Sequence, residues 1–199
     1  MRSLPIVPRG FYARPPDTVG RELLGKILVR RYEGKRLAGR IVEVEAYFGL
    51  DDPAAHAFAG KTARNAVLFG PPGFAYVYFI YGMHYCLNIS CEPEGQAGSL
   101  LLRALEPLEG LEAMAELRGL DADAPARLLT SGPGRLCQAL GITRTTHNGI
   151  DVTSARTGLH VEDDGFRPEE IEAGARVGIR KAAERPLRFV IAGNRFVSR

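Results

Sequence analysis

The stretch Phe74–Ser90, FAYVYFIYGMHYCLNIS, is the most apolar part of the chain and holds six of its sixteen aromatic residues. It falls short of the roughly 20 apolar residues that a membrane helix needs. Its β-branched and aromatic content favours strand over helix. Tyr81-Gly82-Met83, inside this run, suits a tight, exposed turn at a strand end. A chain carrying such a run must build a sheet and pack a core against it. Most of these rings fill that core, since the sequence contains no Trp. With 45% hydrophobic and 25% charged residues over 199 positions, it reads as one globular domain, residues 1–199, and not as a disordered chain.

The flanking segments extend this pattern. Arg14-Pro15-Pro16-Asp17 is an extended lead-in, with Asp17 as N-cap of a helix whose apolar face is Val19, Leu23, Leu24, Ile27 and Leu28. Strands follow as LVRRYE, a turn at Gly34-Lys35, and LAGRIVEVEAY, where Ile41, Val44 and Ala46 do not alternate cleanly and burial on both faces is expected. Residues 48–73 read as a long loop, and long loops in compact domains are commonly functional. SLLLRALEP (99–107) reads as a strand, Glu106–Gly119 as a helix, and a further helix starts at Ser131-Gly132-Pro133 and ends at Gly141. IDVT, GLHVEDD, ARVGIR and PLRFVIAG read as short strands. The sum is a strand-dominated α+β domain without a βαβ rhythm.

Net charge is +3, but it is unevenly distributed. Residues 1–40 carry ten Lys/Arg against three Asp/Glu, residues 41–172 nine against nineteen, and residues 173–199 seven against one. Of the 26 basic residues, 22 are Arg, which binds phosphates bidentately, so the basic ends hint at a nucleic-acid partner. Charge alone favours the plainer account, replacement of Lys by Arg on an ordinary surface. Cys86, Cys91 and Cys137 are odd in number and form no C-x-x-C, which suits free thiols in a reducing cytoplasm. The N-terminus MRSLPIVPRG lacks a signal-peptide core. Phosphate-loop, dinucleotide, nucleophile-elbow and zinc-protease motifs are missing. His56, His84, His147 and His160 are scattered without metal-ligand spacing, so neither a metal nor a cofactor is expected.

Two features carry chemistry. Glu43-Val44-Glu45 places two carboxylates on one face of an apolar strand. Such groups are paired, exposed or functional, and a solvated edge with pairing to Arg40 or Arg103 is the plain alternative. The second is the tyrosine series Tyr76, Tyr78, Tyr81 and Tyr85 with His84 and Asn88. Aromatic side chains beside a basic surface stack on bases or wedge between base pairs.

The blocks RIVEVEAY (40–47), DPAAHA (52–57), PGFAYVYFIYGMHYCLNIS (72–90), LLLRALEP (100–107), LTSGPGRLCQALGI (129–142) and RVGIRKA…RPLRF (176–189) run in order across nearly the whole chain. In these blocks the sequence resembles the alkyladenine (3-methyladenine) DNA glycosylase family. The resemblance implies a single compact α+β domain around a curved, barrel-like antiparallel sheet with peripheral helices. It implies a monofunctional enzyme that flips alkylated or deaminated purines (3-methyladenine, 7-methylguanine, hypoxanthine, ethenoadenine) out of duplex DNA. The N-glycosidic bond is then hydrolysed, leaving an abasic site. Glu45 matches the carboxylate that activates water, and Arg103 the arginine that helps hold the water and the flipped nucleotide. The main-chain carbonyl at Val177 matches a further water contact. Tyr47, His56 and Tyr78 match the walls around the flipped base, while the backbone at Ala54 and His56 matches the reader of its edge. Asn88 matches the side chain that crowds the 2-amino group of guanine. Tyr81 matches the residue that intercalates into DNA in place of the extruded nucleotide. Lys26, Lys35, Lys61 and Lys181 fall outside the matched pocket, so no Schiff-base chemistry is implied.

The expected partner is double-stranded DNA containing damaged purines, with a monomeric protein, no membrane, and a cytoplasmic, nucleoid-associated location. The Arg-rich ends are then expected to help line the phosphate-tracking face. The alternative is a non-catalytic lesion- or abasic-DNA binding protein on the same scaffold. A nucleotide- or formyl-group-handling enzyme is a third reading, and it lacks any phosphate loop or cofactor motif.

Overall fold

The computed structural model describes residues 4–80 and 82–198. Eight strands form one antiparallel sheet: β1 (Ile27–Tyr32), β2 (Lys35–Phe48), β3 (Ala75–Ile80), β4 (His84–Cys91), β5 (Gly98–Glu109), β6 (Leu159–Glu162), β7 (Ile171–Gly174) and β8 (Arg188–Ile191). The order is β3-β4-β5-β2-β1-β6, with β8 added to β2 and β7 to β8. The sheet curls into a half-barrel. Six helices pack around it: α1 (Arg9–Tyr12), α2 (Pro16–Leu23), α3 (Leu111–Arg118), α4 (Arg127–Thr130), α5 (Pro133–Ala139) and α6 (Arg144–His147).

β2 explains the curl. It pairs with β5 from Ala38 to Phe48, but on its other edge it changes partner, from β1 over Lys35–Arg40 to β8 over Glu43–Glu45. Its register against β5 slips between Ala38 and Gly39 and again on both sides of Glu43, and bulges of this kind bend and twist a strand. Ile41 to Ala46 are buried throughout, as the broken alternation in this segment predicts.

Side-chain alternation divides the central strands into two faces. Val77, Leu87, Ile89, Leu100 and Leu102 enter the main core with Leu23, Met114 and Leu136 from the helices and Leu24 just after α2. Tyr76, Tyr78, Cys86 and Leu101 belong to a separate cluster on the opposite face, with Ala57 and Leu68.

Several boundaries differ from the sequence expectations. Pro16, not Asp17, opens α2 after Pro15 as N-cap; the helix ends at Leu23, and Ile27 and Leu28 belong to β1. The first hairpin turns at Glu33-Gly34, both at positive φ as a two-residue turn requires, one residue earlier than Gly34-Lys35. The aromatic run is two strands with Gly82-Met83 in a turn between them, and Tyr81 lies outside the described residues. Glu106–Glu109 continue β5, because Pro107 and Glu109 pair with Gly39 and Ala38; α3 starts only after Gly110, at φ 79°. IDVT forms only an isolated bridge, Asp151 to Phe74, and 175–180 is not a strand, whereas Ile171–Gly174 is.

Gly49 ends β2 and starts the loop that carries Ala54 and His56. A Cβ there would lie 2.1 Å from the Ala97 carbonyl oxygen, which is backbone and cannot yield cheaply. Gly49→Ala should therefore lower unfolding free energy by about 2 kcal/mol in urea titrations, as overpacking does. Gly10→Ala, with nothing near its Cβ, should stay within about 0.5 kcal/mol of the parent. Equal stabilities would contradict the close approach.

Candidate functional site

A cavity of about 630 Å³ opens on the face of β3, β4 and β5 opposite the main core. Of the nine residues to which the resemblance gives a role, seven line it, namely Tyr47, Ala54, His56, Tyr78, Asn88, Arg103 and Val177, and His84 lines it as well. Period-two alternation explains several of them, since Cys86 and Asn88 on β4, and Ser99, Leu101 and Arg103 on β5, share the cavity face. Glu45 lies immediately behind the lining, fully buried. The far wall, Ser131 to Arg135 with Arg118, has no role assigned from the sequence, although SGPGR stands in a matched block. No lysine is found in the lining among the described residues.

The carboxylate of Glu45 is held by three donors. Its Oε1 accepts from the Val177 amide at 2.7 Å and lies 3.1 Å from Arg103 Nη1. Its Oε2 accepts from the Tyr47 hydroxyl at 2.8 Å. Burial, and then the charge of Glu45, hold the Tyr47 hydroxyl well above the ordinary tyrosine range, so it stays a donor. The Val177 group that touches Glu45 is therefore the N–H, whereas the resemblance concerns the carbonyl. Glu43 is equally buried and binds the other side of the guanidinium, with Arg103 Nε at 2.8 Å. It also accepts from Arg188 Nε at 2.7 Å and from the Ser198 amide at 2.6 Å. Burial pushes Glu43 up, but the Ser198 amide and the Arg103 and Arg188 cations outweigh it and hold the carboxyl below its usual range. The plain alternative of a solvated strand edge is excluded. Arg103 is the partner, and Arg40 pairs with Asp164 at 2.8 Å.

The rings form a connected cluster. His56 meets Tyr78 edge-on with centroids 4.5 Å apart, and its Nδ1 lies 3.0 Å from the Tyr76 hydroxyl. Desolvation of the ring, then the Arg64 charge, lower its proton affinity, which keeps the imidazole neutral at pH 7. Asn65 fixes the loop by donating to the His56 carbonyl at 2.9 Å. On the cavity floor the Asn88 amide donates to Ser99 Oγ at 3.0 Å, a diagonal contact between neighbouring strands.

A second buried hub joins Asp52 and Arg176, which open the matched blocks DPAAHA and RVGIRKA but have no role assigned from the sequence. Arg176 bonds both oxygens of Asp52, at 2.5 and 2.9 Å, and the Ala46 carbonyl at 3.0 Å. It also lies 4.5 Å from the centroid of the Tyr47 ring. Asp52 in turn accepts from the amides of Phe48 and Ala54. One guanidinium thus ties the end of β2, the loop bearing Ala54 and His56, and the segment carrying Val177.

Part of the positive charge of the N-terminal end is engaged within the fold. Arg9, Arg14, Lys26, Arg36 and Arg40 are all in ion pairs, mostly with acidic residues of the central segment. Arg118 and Arg135, at the cavity, make no ion pair among the described residues. Arg118 bonds Gln138 and the Leu128 carbonyl, and Arg135 the Ser131 carbonyl. Among the described residues no helix is long and apolar enough to cross a membrane.

Residues 10–195 match the family model described as methylpurine-DNA glycosylase. The chain is 58% identical over 198 residues to a protein of Koribacter versatilis (strain Ellin345), covering 100% of this chain and 95% of that one. It is 50% identical over 194 residues to a protein of Burkholderia cenocepacia (strain HI2424), covering 97% and 91%. A protein of Rhodopseudomonas palustris (strain HaA2) is 50% identical over 194 residues, covering 98% and 90%. All three carry the name "Putative 3-methyladenine DNA glycosylase".

The Asp52–Arg176 pair generates a stability prediction. Burial raises Asp52, but Arg176 and the two amides outweigh it and hold its carboxyl below the ordinary value. Its contribution is therefore fully present above the ordinary carboxylate range and lost as pH falls through the depressed value. Asp52→Asn should cost about 3 kcal/mol at pH 7, because it leaves Arg176 buried without a charge partner. It should also flatten the fall in stability between about pH 5 and pH 2 by up to one proton's slope, about 1.4 kcal/mol per pH unit. Urea unfolding across that range measures both, and an unchanged slope would count against the assignment.

Proposed function

The chain belongs to the methylpurine-DNA glycosylase family and is a DNA glycosylase, a hydrolase of N-glycosyl bonds, and from that premise we propose that it removes damaged purines with a water activated by Glu45. The observation that carries this reading is the buried Glu45 carboxylate, held by Tyr47, Val177 and Arg103 behind a ring-lined cavity. Its volume lies in the range of small-molecule pockets, enough for one flipped nucleoside.

With the sugar seated at the Arg103–Val177 end, the glycosidic bond lengthens and its electron pair leaves with the base. Positive charge develops at C1′, and the nearby Glu45 anion stabilises it. Glu45 accepts a proton from the water as its oxygen bonds to C1′. Cationic 3-methyladenine and 7-methylguanine leave as neutral bases, whereas hypoxanthine and ethenoadenine need a proton on the leaving base. Tyr47, His56 and Tyr78 offer electron-rich rings to a cationic purine. The lysine-free lining supports simple hydrolysis over Schiff-base chemistry, so the product is an intact abasic site. Tyr81 is the proposed wedge. Arg118 and Arg135 supply charge for phosphates at the cavity, where flipping costs a few kcal/mol, least at damaged pairs.

The test is release of methylated purines from alkylated duplex DNA, with abasic sites revealed by alkali. Glu45→Gln should reduce single-turnover excision by about 10²–10⁴-fold while lesion-DNA affinity stays within a few-fold. Full activity in that variant would defeat the mechanism. Duplex affinity should weaken with salt, and Arg135→Ala should reduce the slope of log K against log [salt] by about 1. An unaltered slope would remove Arg135 from the interface.

A further inference from the structure

We propose that Glu43 is a positioning residue: it takes up one side of Arg103 and the charge of Arg188, and so leaves Glu45 free to act as a base. The proposal rests on the Glu45 mechanism above and adds a residue that touches neither substrate nor water.

The geometry is a charge-balanced quartet. Arg103 gives Nε to Glu43 at 2.8 Å and Nη1 to Glu45 at 3.1 Å. Arg188, the register partner of Glu45 on β8, gives its Nε to Glu43 at 2.7 Å and not to Glu45. Two cations thus face two carboxylates, with Glu43 taking a contact from each cation and Glu45 from one. The C-terminal segment closes the arrangement. Ser198 donates its amide at 2.6 Å and its hydroxyl at 2.9 Å to Glu43, and Arg103 Nη2 reaches Ser198 Oγ at 3.3 Å. Phe196 packs beside Val42 and Ala104, next to the bulge, and its carbonyl accepts from Ser131 on the cavity wall. Glu43 faces two guanidinium N–H groups, the Ser198 amide and the Ser198 hydroxyl, a donor set that suits an anion.

A carboxylate base must keep enough proton affinity to take a proton from water. Without Glu43, Arg103 and Arg188 would face Glu45 alone. The guanidinium of Arg103 would be free to turn both of its faces to Glu45 and cap the lone pairs the water needs. The charged and titratable groups around Glu45 are Glu43 and Tyr47 on β2, Cys86 on β4, Arg103 on β5, Arg188 on β8, and Arg176 beyond the Tyr47 ring. Within this set Glu43 is the one other anion close to Arg103, so its loss shifts the balance toward positive charge.

The sign follows. In Glu43→Gln the surplus positive charge stabilises anionic Glu45, so the acid limb of the rate–pH profile should move down by about half a pH unit or more. The weaker base should slow single-turnover excision of hypoxanthine about two- to threefold at neutral pH, with duplex affinity unchanged within error. Arg188→Gln, at a partly exposed position, should move the limb the opposite way, to higher pH. Glu43→Asp, which keeps the charge, should recover most of the limb position. A purely structural Glu43 would lower the thermal midpoint and the active fraction without moving the limb of the molecules that remain folded. Limbs unmoved in both variants, or moved in the same direction, overturn the proposal. If Glu43→Gln does not fold, the direction of the Arg188→Gln shift decides alone. Excision that survives Glu45→Gln would instead refute the underlying mechanism, a distinct result.

Discussion

The sharing of the Arg103 guanidinium between Glu43 and Glu45 is the contact around which the sheet is arranged. Two carboxylates two residues apart on a buried strand would repel and would be costly to desolvate unless cations entered with them. One cation comes from β5, where a slip in register beside Glu43 lies next to Arg103. The other comes from β8, which must reach the edge of β2 that β1 has left. The C-terminal segment supplies the remaining donors through Ser198. The early strand β2 and the C-terminal segment therefore meet at one point, beside the register slips that bend β2.

The same strands serve core and cavity by alternation, so the site is built on the rigid sheet and not hung from loops. Leu100 and Leu102 anchor β5 in the core while Ser99, Leu101 and Arg103 face the cavity. Where a loop does contribute, the fold pins it: Arg176 binds Asp52, and Asp52 holds the amides of Phe48 and Ala54. Arg176 immediately precedes Val177, whose amide holds Glu45. The two buried hubs are therefore linked through one peptide unit and through the Tyr47 ring, which bears on both.

How much of this was legible in the sequence depended on the range of the interaction. The aromatic run was recognisable as strand, and the interrupted apolar pattern around Val44 as burial on both faces, because these are local periodicities. Glu106 was misread as helical because its neighbours fit helical spacing, while the competing demand, pairing of Pro107 and Glu109 with β2, comes from seventy residues away in the chain. β7 was missed because Ile171–Gly174 is short and mostly exposed, with no alternation to detect. Glu43 could be seen as an unusual buried acid, but its partners Arg188 and Ser198 lie far along the chain. The role of Glu45 came from matched blocks and not from spacing, which left a solvated edge open.

Charge shows the same limit more sharply. The +7 and +6 at the two ends described composition correctly and location only in part, because Arg9, Lys26, Arg36 and Arg40 are paired with acids of the central segment. In the cavity lining, Arg118 and Arg135 make no ion pair among the described residues. A wholly basic face would bind any duplex, since phosphate contacts carry no sequence information. On the proposed mechanism, a few cations beside a shaped cavity leave more of the discrimination to whether a base can be flipped and seated against Tyr47, His56 and Tyr78. The ion pairs that engage part of the basic ends tie them to the central segment, while Arg118 and Arg135 leave positive charge beside the cavity.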